Sequence, residues 1–189
     1  MLFMGPSGCG KSSILRVLGK LWPAYRAHGG AGVDPQICRP GSRNVFFLSQ
    51  KPYMIEGTLR EQIAYPVWEE SLIDTLTDDR VEELCRVCNL LTIWKTRKDQ
   101  LDKPGVHWSN VLSLGEQQRL QFCRLLWHHH WYLMKGDVNS GFYAVLDEAT
   151  AALDTESEIS VYKAVRATGM SFLSVAHRPT VIQFHNKVL

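Results

Sequence analysis

No apolar run in this chain approaches the roughly 18 to 20 residues that a membrane-crossing helix needs. Nor does a basic segment with a long apolar stretch open it at Met1. A bilayer-spanning segment is therefore not expected within these 189 residues. Neither sign of charge is in excess: 21 Lys and Arg face 19 Asp and Glu, a formal balance of +2. That is too even for a nucleic-acid footprint or a polybasic membrane patch. Cysteine is sparse and odd in number (Cys9, Cys38, Cys85, Cys88, Cys123), which fits reduced thiols on the cytosolic side rather than a disulfide framework. Internal repeats and low-complexity tracts are missing too, apart from His128-His129-His130 in a polar and aromatic stretch. What remains has the length of one α/β domain with a real core.

The order of elements is legible from periodicity. Leu2 to Met4 reads as a strand, a glycine-rich turn follows, and Lys11 to Leu21 reads as a helix with Ile14, Leu15, Leu18 and Leu21 on one face. Residues 22–43 hold Gly29-Gly30 and Arg39-Pro40-Gly41 and read as turns and short edge strands. Asn44 to Ser49 is a compact strand candidate. From Gly57 to about Gln100 helical patterns dominate, with Asp78-Asp79 as the expected cap of a helix carrying Val81, Leu84, Val87 and Leu91. Ser113-Leu114-Gly115-Glu116 has capping-box spacing and starts another helix. Phe142 to Leu146 reads as a buried strand, Asp154 with Glu156 and Glu158 opens a helix ending near Gly169, and Ser171 to Val175 is the last strand.

Two constellations carry chemistry. Gly5-Pro6-Ser7-Gly8-Cys9-Gly10-Lys11-Ser12 matches G-x-x-x-x-G-K-[ST] between a strand and a helix. Its glycines let successive backbone N–H groups curl around phosphates, and the helix dipole adds positive potential there. Lys11 is expected at the β- and γ-phosphates and Ser12 at Mg²⁺, with Ser13 beside them. Asp147 and Glu148 follow an apolar strand, where open α/β sheets place their ligand chemistry. Asp147 is expected to hold Mg²⁺ through water, and Glu148 to serve as general base for an in-line phosphoryl displacement.

With these motifs in order, the chain resembles the nucleotide-binding domain of ABC transporters. Leu112 to Arg119 (LSLGEQQR) looks like the family signature LSGGQ followed by QR, with Leu114 where the family usually has glycine. The resemblance implies that Ser113 and Gly115 cap the γ-phosphate bound to another subunit. It also implies that Gln50 is the Q-loop glutamine near Mg²⁺ and water, that Asp154 belongs to the D-loop, and that His177 is the switch histidine touching the γ-phosphate. Gln50-Lys51-Pro52-Tyr53-Met54, Gly57 to Gln62, Tyr65-Pro66 and Leu21-Trp22-Pro23 resemble subfamily D, the half-transporters of peroxisomes and lysosomes, and related bacterial and plastid proteins.

The implied fold is a P-loop NTPase core of ABC ATPase type, residues 1–52 and about 142–189, with a helical subdomain at about 53–141. The family's N-terminal antiparallel strands, with their adenine-stacking aromatic, have no counterpart before Met1, and the chain is expected to be a fragment. Implied partners are an ABC transmembrane domain, in the same polypeptide or a partner subunit, and a second ATPase domain in a head-to-tail dimer; nucleic acid is not among them. The implied reaction is hydrolysis of ATP with Mg²⁺, driving transport of fatty acids or fatty acyl-CoA. Cobalamin or peptide transport, or a soluble ATPase without transport, are the alternatives. The implied place is the cytosolic face of a membrane: peroxisomal first, then lysosomal, plastid or bacterial inner membrane. Tyr53, Met54 and Ile55 are expected to form an exposed patch for the membrane domain. Trp127 to Gly141 is longer than the short connection the family uses there and is expected to be a surface loop or an unspliced intron, and zinc at Cys85-x-x-Cys88 is not favoured, since no second pair completes a site.

Overall fold

The structure is a computed structural model that describes residues 1–6, 8–18, 22–23, 44–67, 73–96, 103, 105–135 and 141–189. The expectations for residues 24–43, for Leu21 and for the side chain of Ser7 fall outside these. Strands β1 (Leu2–Phe3), β2 (Val45–Leu48), β3 (Tyr143–Asp147) and β4 (Ser171–Val175) form one sheet in the order β1-β4-β3-β2. All pairings are parallel, with Leu48 opposite Leu146, Asp147 opposite Val175 and Phe3 opposite Val175. The last residues extend β1's other edge: Leu2 bridges Val188 in parallel, and its amide donates to the Lys187 carbonyl. Parallel strands need long crossovers. Their carboxyl ends consequently lie along one edge of the sheet, where the loops after β1, β2, β3 and β4 begin.

The strands read as expected within a residue, because Leu2, Leu48 and Leu146 are fully buried and each contributes on the order of 1.5–3 kcal/mol. Helix α1 is described over Lys11–Leu18, and its apolar face is narrower than its periodicity suggests. Leu15 is buried but Ile14 is exposed, so Ile14 does not belong to the inward stripe.

Between β2 and β3 come α2 (Leu59–Ala64), α3 (Asp78–Val87), α4 (Leu91–Thr96), α5 (Trp108–Val111) and α6 (Leu114–Met134). The cap of α3 is Thr77, whose hydroxyl accepts from the Arg80 amide. Asp78 and Asp79 occupy the first turn instead, where they complement the helix dipole. Helix α6 starts at the expected capping box of Ser113 and Glu116. It runs through the stretch expected to be a loop: Trp127, His128, His129 and Tyr132 are buried, and the helix continues to Met134. Residues 127–134 are thus helix, held by aromatic packing. The Trp127 and Trp131 rings stack at 6.3 Å, and His128 meets Phe46 of β2 at 4.8 Å.

Helix α7 (Thr155–Ala167) is capped by Asp154 and buries Val161, Tyr162 and Val165. A 3₁₀ turn over Pro179–Phe184 packs behind it, with Phe184 stacked on Tyr162 at 5.5 Å. One continuous apolar cluster joins the strands, α7 and the helices between β2 and β3. Cys85, Cys88 and Cys123 lie inside it as buried free thiols. Among the described residues no group of three or more His, Cys, Asp or Glu is placed to hold a metal, and no helix is long and apolar enough to cross a membrane.

Candidate nucleotide site

The loop after β1 leads straight into α1, so its amides and the helix N-terminus face the same space. Gly8 and Gly10 have φ of +81° and +97°, a left-handed region that other residues enter only with strain. Lys11 is buried, and its ammonium donates to the carbonyls of Gly5 and Pro6 at 2.8 Å each. The exposed thiol of Cys9 lies 3.8 Å from it. One cation is thereby enclosed within the loop that expects an anion.

At the ends of the other strands the expected residues converge. Ser12 donates its hydroxyl proton to Asp147 Oδ1 at 2.9 Å, joining α1 to β3. Next along the chain, Glu148 is held from two sides. Gln50 Nε2, just past β2, donates to its Oε2 at 2.9 Å, and His177 Nε2, just past β4, lies 2.8 Å from its Oε1. The Glu148 backbone has φ of +48°, costing about 1–2 kcal/mol for a residue with a Cβ. Its amide donates to the Val175 carbonyl at 3.0 Å, which helps hold that turn. Left-handed backbone at a residue that closes two hydrogen bonds marks a site rather than a simple strand end.

Hard oxygen donors at Ser12 and Asp147, a hydrogen bond apart, suit a cation that takes oxygen ligands and keeps several waters, as Mg²⁺ does. Gln50 lies beside them through Glu148.

The remaining expected residues are turned toward their own chain. Ser113 donates to Glu116 Oε2 at 2.8 Å and caps α6. Gly115 stands so close to the loop after Glu148 that a Cβ there would meet the Ala152 carbonyl oxygen at 3.0 Å. Asp154 accepts from the Ser157 amide and hydroxyl, both at 2.8 Å, and these bonds hold its carboxyl below the usual range. Asp154 therefore acts as a helix cap in this chain.

Several further residues of this region were given no role by the motifs, although Gln118 lies within the signature string. Gln118, Gln121 and Arg124 are buried polar residues at three-residue intervals along α6. Gln121 donates to the Ser49 carbonyl at 3.0 Å. Arg124 donates to the carbonyls of Gln62 (2.7 Å) and Tyr53 (3.2 Å), and burial lowers its pKa to about 10. Buried Glu158 accepts from Thr150 and Thr180 at 2.7 Å each, with Arg178 3.7 Å away. Arg178 also donates to the Leu153 carbonyl at 2.6 Å. Polar residues interrupting an apolar helix stripe were the sequence signal for the first three.

The expected patch after Gln50 is reduced. Tyr53 is 62% exposed, Met54 is half-buried, and Ile55 is buried because its backbone is gripped by Gln62 at both amide and carbonyl. Tyr53 borders a hollow beside β2 whose walls include Phe47, Tyr65 and Arg124.

A parallel sheet that gathers a glycine-rich loop, an acidic pair, a glutamine and a histidine at one edge defines a nucleotide-binding domain of the phosphate-loop class. The ABC transporter family profile matches residues 1–135. Over the whole chain it is 43% identical to an uncharacterized ABC transporter ATP-binding protein of Synechocystis, of which it covers 25%. It is 40% identical to the human lysosomal cobalamin transporter ABCD4 (29% covered) and 35% identical to the chloroplastic ABC transporter D family member 2 of Arabidopsis thaliana (30% covered). A bacterial Atm1-family ABC exporter solved with ATP bound superposes over the full chain with a TM-score of 0.72 at 25% identity, with 31% of that structure covered. The chain belongs to the ABC transporter family and is an ATP-binding domain of the subfamily D type. It spans between a quarter and a third of the length of these relatives.

Proposed function

We propose that this chain hydrolyses ATP and drives transport across an organelle membrane, with fatty acids or fatty acyl-CoA as cargo. The observation that carries the hydrolytic reading is the Glu148 carboxylate, fixed between Gln50 and His177 directly after the residue that meets Ser12. Loop amides and Lys11 bind the phosphates, with Lys11 exchanging the Gly5 and Pro6 carbonyls for phosphate oxygens. Water attacks the γ-phosphorus, its proton passes to a Glu148 oxygen, and the bond to the bridging oxygen breaks to leave ADP and phosphate. Gln50 and His177 orient that carboxylate. Mg²⁺ at Ser12 and Asp147 would neutralise phosphate charge.

Ser113 is engaged with Glu116, but the first backbone amides of α6, at Leu114 and Gly115, suit a phosphate on a second copy, which supports a head-to-tail dimer with two nucleotides between the copies. Residues 1–52 and about 142–189 would act as the nucleotide-binding core, with about 53–141 as the helical part that meets a transmembrane domain. Cobalamin is the second reading for cargo, favoured by the likeness to the lysosomal cobalamin transporter. The membrane would then be lysosomal rather than peroxisomal.

Phosphate release by the intact protein tests the hydrolytic reading. Glu148→Gln keeps the shape but loses the basicity, so turnover is expected to fall by about two to four orders of magnitude while ATP still binds. Near-normal turnover would move the role of base away from Glu148.

A further inference from the structure

We infer that Gln118 is a positioning residue that ties the signature helix to both loops flanking Glu148, through hydrogen bonds to the backbone of Gln50 and of Ala152. This rests on the hydrolytic reading above. Gln118 is fully buried on α6, five residues after the Ser113 cap. Its Nε2 donates to the Gln50 carbonyl at 2.9 Å, and its Oε1 accepts from the Ala152 amide at 2.9 Å. Donor and acceptor are both engaged, so the amide can sit only one way round.

Each contact lies one step from the carboxylate. Gln50 is the residue whose side chain donates to Glu148, and Ala152 lies on the turn that Glu148 begins. Gln121, one turn further along α6, holds the neighbouring Ser49 carbonyl in the same manner. Gly115, one turn earlier, rests against the Ala152 carbonyl. The helix is therefore joined to both loops along one face. A shift of its N-terminus, where an anion on another copy would be met, is carried to the groups that orient Glu148. An apolar side chain of the same length would fill the space without making either bond.

The test uses the intact protein with Gln118→Met, which keeps the length and removes both bonds. The kcat for ATP hydrolysis is expected to fall about tenfold, the lower end of what losing an orienting partner costs at a site. The Kd for ATP should change less than about threefold and the thermal midpoint by only a few degrees. Residues acting through one another are non-additive. Adding Gln118→Met to Gln50→Ala should therefore lower kcat by less than about threefold more. The full tenfold loss in that background would overturn the inference, as would a loss carried wholly by Kd or by unfolding. Should the Met variant fail to fold, Gln118→Leu removes both bonds with a smaller apolar side chain. It is expected to show the same fall in kcat, and wild-type turnover in it would overturn the inference. Absence of ATPase activity in the wild-type protein would overturn the hydrolytic reading itself, and this inference with it.

Discussion

Lys11 shows how a single side chain can be ready for an anion. Its ammonium is enclosed, with two carbonyls at 2.8 Å taking the place of water. Exchanging carbonyl dipoles for phosphate oxygens gains charge-assisted hydrogen bonds, each roughly twice as strong as a neutral one. Lys11→Ala is therefore expected to abolish ATP binding in a nucleotide titration, because the loop loses its side-chain cation. Unchanged affinity would dismiss the loop as the phosphate site. Gly115 gives a second prediction, in which two effects have opposite signs. Alanine is favoured over glycine by up to about 1 kcal/mol within a helix, yet its Cβ would stand 3.0 Å from the Ala152 oxygen. That loop is pinned by Gln118 and Arg178 and has little room to yield. Gly115→Ala is expected to lower turnover about tenfold with ATP affinity kept, an effect of misplacing a catalytic loop. A stabilised, fully active variant would show that the loop moves freely.

Helix α6 is the element that departs most from its sequence pattern. His128 is buried within it, 2.8 Å from the Tyr65 carbonyl, and burial depresses its pKa from 6.5 to about 4. The unfolded chain takes up this proton below about pH 6.5, whereas the folded chain resists until about pH 4. Stability from this group is therefore full above the upper value and falls as pH drops between the two, by about 2 kcal/mol at pH 5. His128→Gln can still donate to the Tyr65 carbonyl but does not titrate. Urea unfolding near pH 7.5 and pH 5 should show its acid loss reduced by that amount, with the shares of His129 and His185, also lowered by burial, remaining. An unchanged loss would assign the acid sensitivity elsewhere.

The phosphate loop, the Asp147-Glu148 pair and the Ser113 cap were legible because each is a local pattern with a local cause. The roles of Gln118, Gln121 and Arg124 were not: their partners are backbone groups 34 to 72 residues away. Nor was the run to Met134, since Trp127, Trp131 and three histidines weaken helical periodicity, while His128 packs beside Phe46 and His129 and Tyr132 pack beside Phe142. Thr77 displaced Asp78 as cap because the first-turn acids need not cap to favour the helix.

For the whole molecule, the surface after Gln50 determines where a membrane domain would be felt. Exposure now favours Tyr53 over Met54 as the contact, because Ile55 and half of Met54 are drawn inward. Tyr53→Cys in an otherwise active intact protein is expected to crosslink to the membrane domain, and Met54→Cys to do so more weakly. Equal failure of both would move the docking surface away from this hollow.

The pairing of β1 has a further consequence for synthesis. Leu2 and Phe3 find their strand partners only at Ser174 and Val175, so during translation at 5–20 residues per second they wait on the order of ten seconds or more. Helices between 59 and 134 have emerged by then and can form locally. The phosphate loop hangs from β1, so nucleotide binding waits until the span from Leu2 to Val175 has emerged. A ribosome stalled before residue 171 should carry helical structure that does not retain ATP, and release of a chain extended past Val175 should restore it.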